Sequence, residues 1–295
     1  MISLVRMTRF LGLLGAACLL ATPRPVAAME DHPVEDASKH KLLTKANPSL
    51  PTLYLVGDST MKVGTPGQRG WGDELAPYFD PAKINVVNQA IGGRSSRTYQ
   101  TEGRWAAVLA MVQKGDIVII QFGHNDSGAL NDNSRARGTI KGGGEETQEI
   151  DNILTHQHET VHSFGWYLRK YATDVQAKGA HPIIFSLVPR NNWKDGKIVR
   201  ATPNNYGQWA LDAAKATGST FVDHNEIIAQ GFDKLGPEKT LPLFGDGKLH
   251  ASPDGAKFNA RMAVAGLKGM PGNPFAKYFS SAAEEIPTFG GTAAR

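Results

Sequence analysis

Cysteine is almost absent: Cys18 is the only one in 295 residues. The chain can form no internal disulfide, and a thiol nucleophile would have to be Cys18 itself. Charge of one sign is not in excess, with 32 Lys and Arg against 28 Asp and Glu. A basic nucleic-acid face therefore has no support in composition. Long apolar runs are missing too. The stretch from Phe10 to Ala21 is short of the roughly 20 residues a spanning helix needs. Nothing repeats at the period of a solenoid, and no tract is of low complexity.

What the first residues do contain is Arg6 and Arg9, that short apolar run, and Val26-Ala27-Ala28 as a small-residue cleavage site. This pattern predicts a secretory signal peptide over residues 1–28 and a secreted or periplasmic product with no membrane attachment after cleavage. Cleavage would remove Cys18 and three arginines, leaving 29 basic residues against 28 acidic ones. Residues 29–50 are polar and proline-dotted, and are expected to form a flexible lead-in. A single domain is expected over 51–270, followed by a tail, 271–295, that packs loosely.

Within the domain, apolar runs predict strands at Leu53–Gly57, Ile84–Asn88, Asp116–Phe122, His181–Val188 and Ser219–Val222. Helical patterns lie between or after them at Gly103–Gln113, Glu159–Lys178, Asn204–Thr217 and Ser252–Lys268. Strands alternating with helices of this length predict an α/β fold with a parallel sheet covered on both faces. The glycine- and asparagine-rich stretch between Gly123 and Glu159 reads as a long loop, the kind that is usually functional or disordered.

Ligands of an open parallel sheet bind beyond the carboxyl ends of its strands. Past the first strand stands Gly57-Asp58-Ser59-Thr60, past the second Asn88-Gln89-Ala90-Ile91-Gly92-Gly93-Arg94, past the third Gly123-His124-Asn125-Asp126. Near the end, Asp246-Gly247-Lys248-Leu249-His250 precedes Ser252-Pro253, a helix N-cap with proline after it. These parts fit acyl transfer. Ser59 is the candidate nucleophile and His250 the base that takes its proton, with an acid beside the imidazole. The N–H groups of Ser59 and Gly93 and the amide of Asn125 are candidate oxyanion donors.

The blocks GDST, NQAIGGRSSRTY and QFGHND, with the late histidine, together resemble the SGNH hydrolases (GDSL-type esterases). The wording GGRSSRTY and FGHND resembles their rhamnogalacturonan acetylesterase branch. The resemblance runs from about Leu53 to Leu267. It implies a flavodoxin-like three-layer α/β/α fold with about five parallel strands. It also implies removal of acetyl groups from a plant cell-wall polysaccharide such as rhamnogalacturonan or pectin, with no cofactor and no metal. One departure concerns the last block, which the family writes D-x-x-H. Here Gly247 holds the acid's place, so Asp246, one residue earlier, is the candidate triad acid.

Other residues carry weaker signals. Asp58, His124 and Asp126 read as loop-shaping groups. Arg94 and Arg97 are candidates for a uronate of the substrate, and Trp193, like Trp71 and Trp166, is a candidate sugar-stacking ring. His158-Glu159-Thr160-Val161-His162 matches H-E-x-x-H, which on a helix presents two zinc ligands and a general base. Val161, Phe164, Leu168, Tyr171 and Val175 recur at helical spacing, so the motif is expected on an amphipathic helix. A third ligand is lacking, because Leu168 occupies the place where the longer metalloprotease pattern needs one. His162 is instead expected on the cleft rim, in contact with substrate. Three rival readings remain: another SGNH esterase or lipase acting on small acyl esters, a zinc protease, and a carbohydrate-binding protein without activity.

Overall fold

The computed structural model describes residues 41–201 and 205–289. The expected signal peptide, the first part of the lead-in and the last residues of the tail lie outside the described residues. Five parallel strands form the central sheet: β1 (Thr52–Gly57), β2 (Asn85–Asn88), β3 (Ile117–Gln121), β4 (His181–Phe185) and β5 (Thr220–Val222). Their order is β2-β1-β3-β4-β5, the flavodoxin-like arrangement, and its switch point lies between β1 and β3.

The strands are buried on both sides, so they read as unbroken apolar runs rather than alternating ones. The side chains nevertheless sort with period two. Leu53, Leu55, Ile117, Ile119, Ile183, Phe185 and Val222 join one core cluster. Tyr54, Val56, Val118, Ile120, Ile184 and Phe221 join the other. Helices α1 (Arg104–Met111), α2 (Phe164–Ala177) and α3 (Asn205–Thr217) supply residues to the second cluster. Helices α4 (His224–Leu235) and α5 (Pro253–Lys268) supply the first. Fully burying one such Leu or Ile is worth roughly 1.5–3 kcal/mol, so the two layers hold the sheet without covalent help.

Five differences from the sequence-based expectation have physical causes. His158–His162 is a strand, not the start of a helix, and it pairs antiparallel with Thr147–Asp151. The helix begins only at Phe164, where the Ser163 hydroxyl caps the Trp166 N–H. Val161 is buried in either case, so its spacing to Phe164 mimics a helical stripe. The stretch from Gly123 to Glu159 is accordingly no structureless loop, because this hairpin occupies its second half.

Residues 41–50 hold no helix or strand, but they are tied to the sheet: Asn85 Nδ2 donates to the Asn47 carbonyl and Gln89 Nε2 to that of Leu43. The tail does not pack loosely over its described part. Phe275, Ala283 and Ile286 are buried in the first core cluster, and Lys268 Nζ donates to the carbonyls of Ala283 and Ile286. Lastly, α4 went unread, although Asp223 and Glu226 give its start a capping-box spacing and the Asp223 side chain accepts from the Glu226 N–H.

Candidate active site

The ends of β1, β2 and β3 bring three of the four blocks together. Ser59 sits in the turn after β1, where the N–H groups of Met61 and Lys62 return to the Asp58 carbonyl. Asp58 is fully buried, and its Oδ1 accepts from the N–H and hydroxyl of Thr60. Burial raises its carboxyl, the Thr60 bonds oppose that rise, and the charges of His250 and Arg137 oppose it further. It holds the turn, as expected of a loop-shaping group.

Gly92 lies against the serine: a Cβ built on it would stand 3.6 Å from Ser59 Cβ. Gly93 follows with φ +78, a left-handed conformation that an L side chain adopts only with strain. Asn125 Nδ2 donates to the Arg94 carbonyl at 2.9 Å, and its second amide hydrogen has no acceptor among the described residues. Among the described residues, no acceptor pairs with the backbone N–H of Ser59 or Gly93. Asp126 ties the second block to the third by accepting from the N–H and Oγ of Ser96. Burial, against those bonds, pushes its carboxyl up to about 7.

The fourth block arrives from the turn between Phe244 and Ala251, whose bridge closes the loop ahead of α5. Ser59 Oγ lies 2.9 Å from His250 Nε2, and His250 Nδ1 lies 2.7 Å from Asp246 Oδ2. The extra residue relative to D-x-x-H is absorbed by Gly247, which turns with φ +71. Asp246 Oδ1 accepts the N–H groups of Lys248, Leu249 and His250 in succession. Burial would raise this carboxyl; the Leu249 and Lys248 N–H groups and His250 outweigh it and hold it at about 2. His124 is buried, and desolvation together with the charges of Arg190 and His250 pushes it down to about 3.

The remaining candidates divide. Trp193 is tied through Asn191 to the turn that carries His250: its Nε1 donates to Asn191 Oδ1, and Asn191 Nδ2 donates to the Gly247 carbonyl at 2.9 Å. Asn191 was not read from the sequence. Arg94 is no free cation, being buried with Nε on Glu102 and Nη1 on the Gly92 carbonyl. Arg97 is fully buried and takes Glu159 on two nitrogens at 2.6 Å each. Both expected uronate contacts are therefore internal ties.

His162 stacks on Trp166 with ring centroids 3.6 Å apart, and no hydrogen bond or ring contact joins it to Ser59, Asn125 or His250. Arg135 and Arg137 were missed altogether. Each presents Nη1 within 3.9 Å of the point where a Gly93 Cβ would stand. Their only signal in sequence was a pair of arginines two apart in a glycine-rich loop.

The H-E-x-x-H motif cannot close on one ion in this setting. Four residues of strand span about 13 Å, and Glu159 faces the side opposite to the two histidines. Among the described residues no three His, Cys, Asp or Glu gather as a metal set.

Residues 55–258 match the GDSL-like Lipase/Acylhydrolase family. The chain belongs to that family. A rhamnogalacturonan acetylesterase of Emericella nidulans is 40% identical over 206 residues, 70% of this chain and 80% of the relative. A probable rhamnogalacturonan acetylesterase of Bacillus subtilis is 29% identical, over 74% of this chain and 94% of its own length. Among solved structures, the Bacillus subtilis protein YxiM superposes with a TM-score of 0.61 at 27% identity. That match covers 76% of this chain but spans only 57% of the other. Family membership makes the chain an ester hydrolase built on the sheet described above.

Proposed function

We propose that this protein is a serine esterase that removes acetyl groups from an acetylated rhamnogalacturonan-type polysaccharide through an acyl-enzyme. The observation that carries the reading is the unbroken line Ser59 Oγ, His250, Asp246, with contacts of 2.9 and 2.7 Å. His250 Nε2 takes the Ser59 proton as Oγ bonds to the acetyl carbon. Asp246 holds the ring with Nδ1 protonated and stabilises the cation that forms. The carbonyl oxygen becomes an oxyanion, met by the N–H groups of Ser59 and Gly93 and the spare amide hydrogen of Asn125. In related machinery one such donor is worth about 3–4 kcal/mol of barrier.

Collapse breaks the bond to the sugar oxygen, which leaves with the proton from His250. Water then attacks the acetyl-serine, gives its proton to His250 and releases acetate, and Ser59 recovers its hydrogen. Acetylated polysaccharide as substrate rests on the two relatives named for that activity. Export, from the leader-like residues 1–28, would bring the protein to that polymer.

The test is acetate release from acetylated rhamnogalacturonan, acetylxylan and small acetyl esters, by wild type and Ser59→Ala, with and without EDTA. Fastest release from rhamnogalacturonan, insensitive to EDTA, lost in Ser59→Ala and matched by fluorophosphonate labelling of Ser59, supports the reading. Release that survives Ser59→Ala, or EDTA-sensitive proteolysis, contradicts it. Turnover of small esters alone would point to a general acylhydrolase.

A further inference from the structure

We infer that Arg135 and Arg137 form an anion subsite beside Gly93 that selects a substrate with a uronate carboxylate close to the scissile acetyl ester. This rests on the esterase reading above and adds the residues that read the polymer's charge. Both guanidiniums border the space in front of Gly93, at 3.9 and 3.8 Å from the position of a would-be Cβ, and among the described residues no other group apart from Gly93's own chain neighbours comes within 4 Å of that point. Gly92, the preceding residue, faces Ser59: a Cβ built on it would stand 3.6 Å from Ser59 Cβ. The two cations therefore border Gly93, the residue next to the one that faces the candidate nucleophile.

Neither has an ion-pairing carboxylate among the described residues, whereas Arg94, Arg97, Arg169 and Arg200 all have one. Arg137 commits Nη1 to the Gly93 carbonyl at 3.0 Å. Asp58, Asp126 and Asp132 act on it only from beyond contact, and burial and the Arg135 charge push it down to about 10. Two like charges held close, one half-buried, are arranged at a cost that a bound anion relieves. A carboxylate fits two guanidinium forks well.

The loop that carries them is fixed in advance. Asp132 Oδ1 collects the N–H groups of Ser134, Arg135 and Ala136. Arg97 Nη1 holds the carbonyls of Leu130 and Gly138, and Glu159 holds Arg97. The glutamate of the H-E-x-x-H motif thus anchors this loop. Such preorganisation lowers the entropy lost on binding.

The test compares kcat/KM of the full-length protein on an O-acetylated rhamnogalacturonan oligosaccharide and on the same oligosaccharide with its carboxyls reduced to alcohols. The wild type is expected to prefer the acidic form by about tenfold or more, the worth of one charged hydrogen bond. Arg135→Gln, which removes a guanidinium that bonds nothing among the described residues, is expected to bring that ratio close to one, and Arg135→Lys to restore part of it. Added salt should erode the preference.

A wild-type ratio of one, or an equal loss on both substrates in Arg135→Gln, overturns the inference; the second result would assign the arginine to the oxyanion instead. Should the wild type deacetylate neither substrate, the esterase reading falls. Binding of the deacetylated acidic oligosaccharide would still decide the subsite: a Kd raised about tenfold by Arg135→Gln supports it, and an unchanged Kd overturns it.

Discussion

Two segments of this chain set ionisable side chains four residues apart, Asp246 with His250 and His158 with His162, and the backbone treats them in opposite ways. In the first, the chain doubles back at Gly247 with φ +71, and Asp246 Oδ2 comes within 2.7 Å of the His250 ring. In the second, the same interval is stretched along a hairpin strand. There His158 lies between the exposed carboxylates of Glu149 and Asp151, and His162 stacks on Trp166. A spacing has chemical meaning only once the conformation beneath it is known. The segment that matched a familiar motif holds a loop in place, and the one that departed from its family pattern closes a triad-like geometry.

The largest expected effect lies in the turn. His250→Ala should lower kcat on an acetyl ester by about 10⁴-fold or more, the usual consequence of losing the base from such a unit, measured by acetate release. If His250→Ala kept most of the activity, the two segments would be alike in doing no chemistry.

Next comes Glu159→Gln in the hairpin. Arg97 has no exposed side-chain surface, so removing its partner's charge leaves a buried cation uncompensated. The expected loss is about 3–5 kcal/mol, seen as a Tm lower by about 10 °C. Below that Tm, kcat should fall far less than in His250→Ala; abolished turnover in a folded Glu159→Gln protein would give the hairpin a chemical role.

A smaller effect concerns Asp126, which joins the second and third strand-end blocks. Burial raises its carboxyl to about 7 in the folded protein. The folded state therefore holds this proton where the unfolded chain has lost it, and the fold loses stability as pH rises from about 4 to 7. Asp126→Asn should flatten Tm against pH across that window, as read by thermal melts. The smallest effect is expected from His162→Ala, with kcat/KM on the polysaccharide changed by about twofold or less. A larger change would return His162 to the cleft rim.

The central sheet was legible because buried parallel strands read as short apolar runs bounded by turn residues and alternating with helical patterns. Thr52–Gly57 and Ile117–Gln121 fall within a residue of their expected bounds. The strand-end blocks were legible for a related reason, since this topology puts every such loop at one edge of the sheet. The hairpin was not. Val161 is buried as a strand residue and lies three before Phe164, so a strand and a helix together produced one helical stripe. Only Ser163, the true N-cap, marked the boundary. The tail was misjudged because Phe275 and Ile286 anchor it without any period. Arg135 and Arg137 escaped because an arginine without an ion-pair partner is a fact of tertiary structure, and nothing in the sequence separates them from the paired Arg94 and Arg97.

The claim on which the rest depends is that Asp246, displaced by one residue from the family's usual place, still governs His250. The direct measurement is kcat on an acetyl ester for Asp246→Asn beside the wild type, with folding checked by Tm. Loss of the charge and of the fixed tautomer should lower kcat by at least about 10²-fold. A folded Asp246→Asn protein within about threefold of wild type would contradict the account, since an orienting acid cannot be that dispensable.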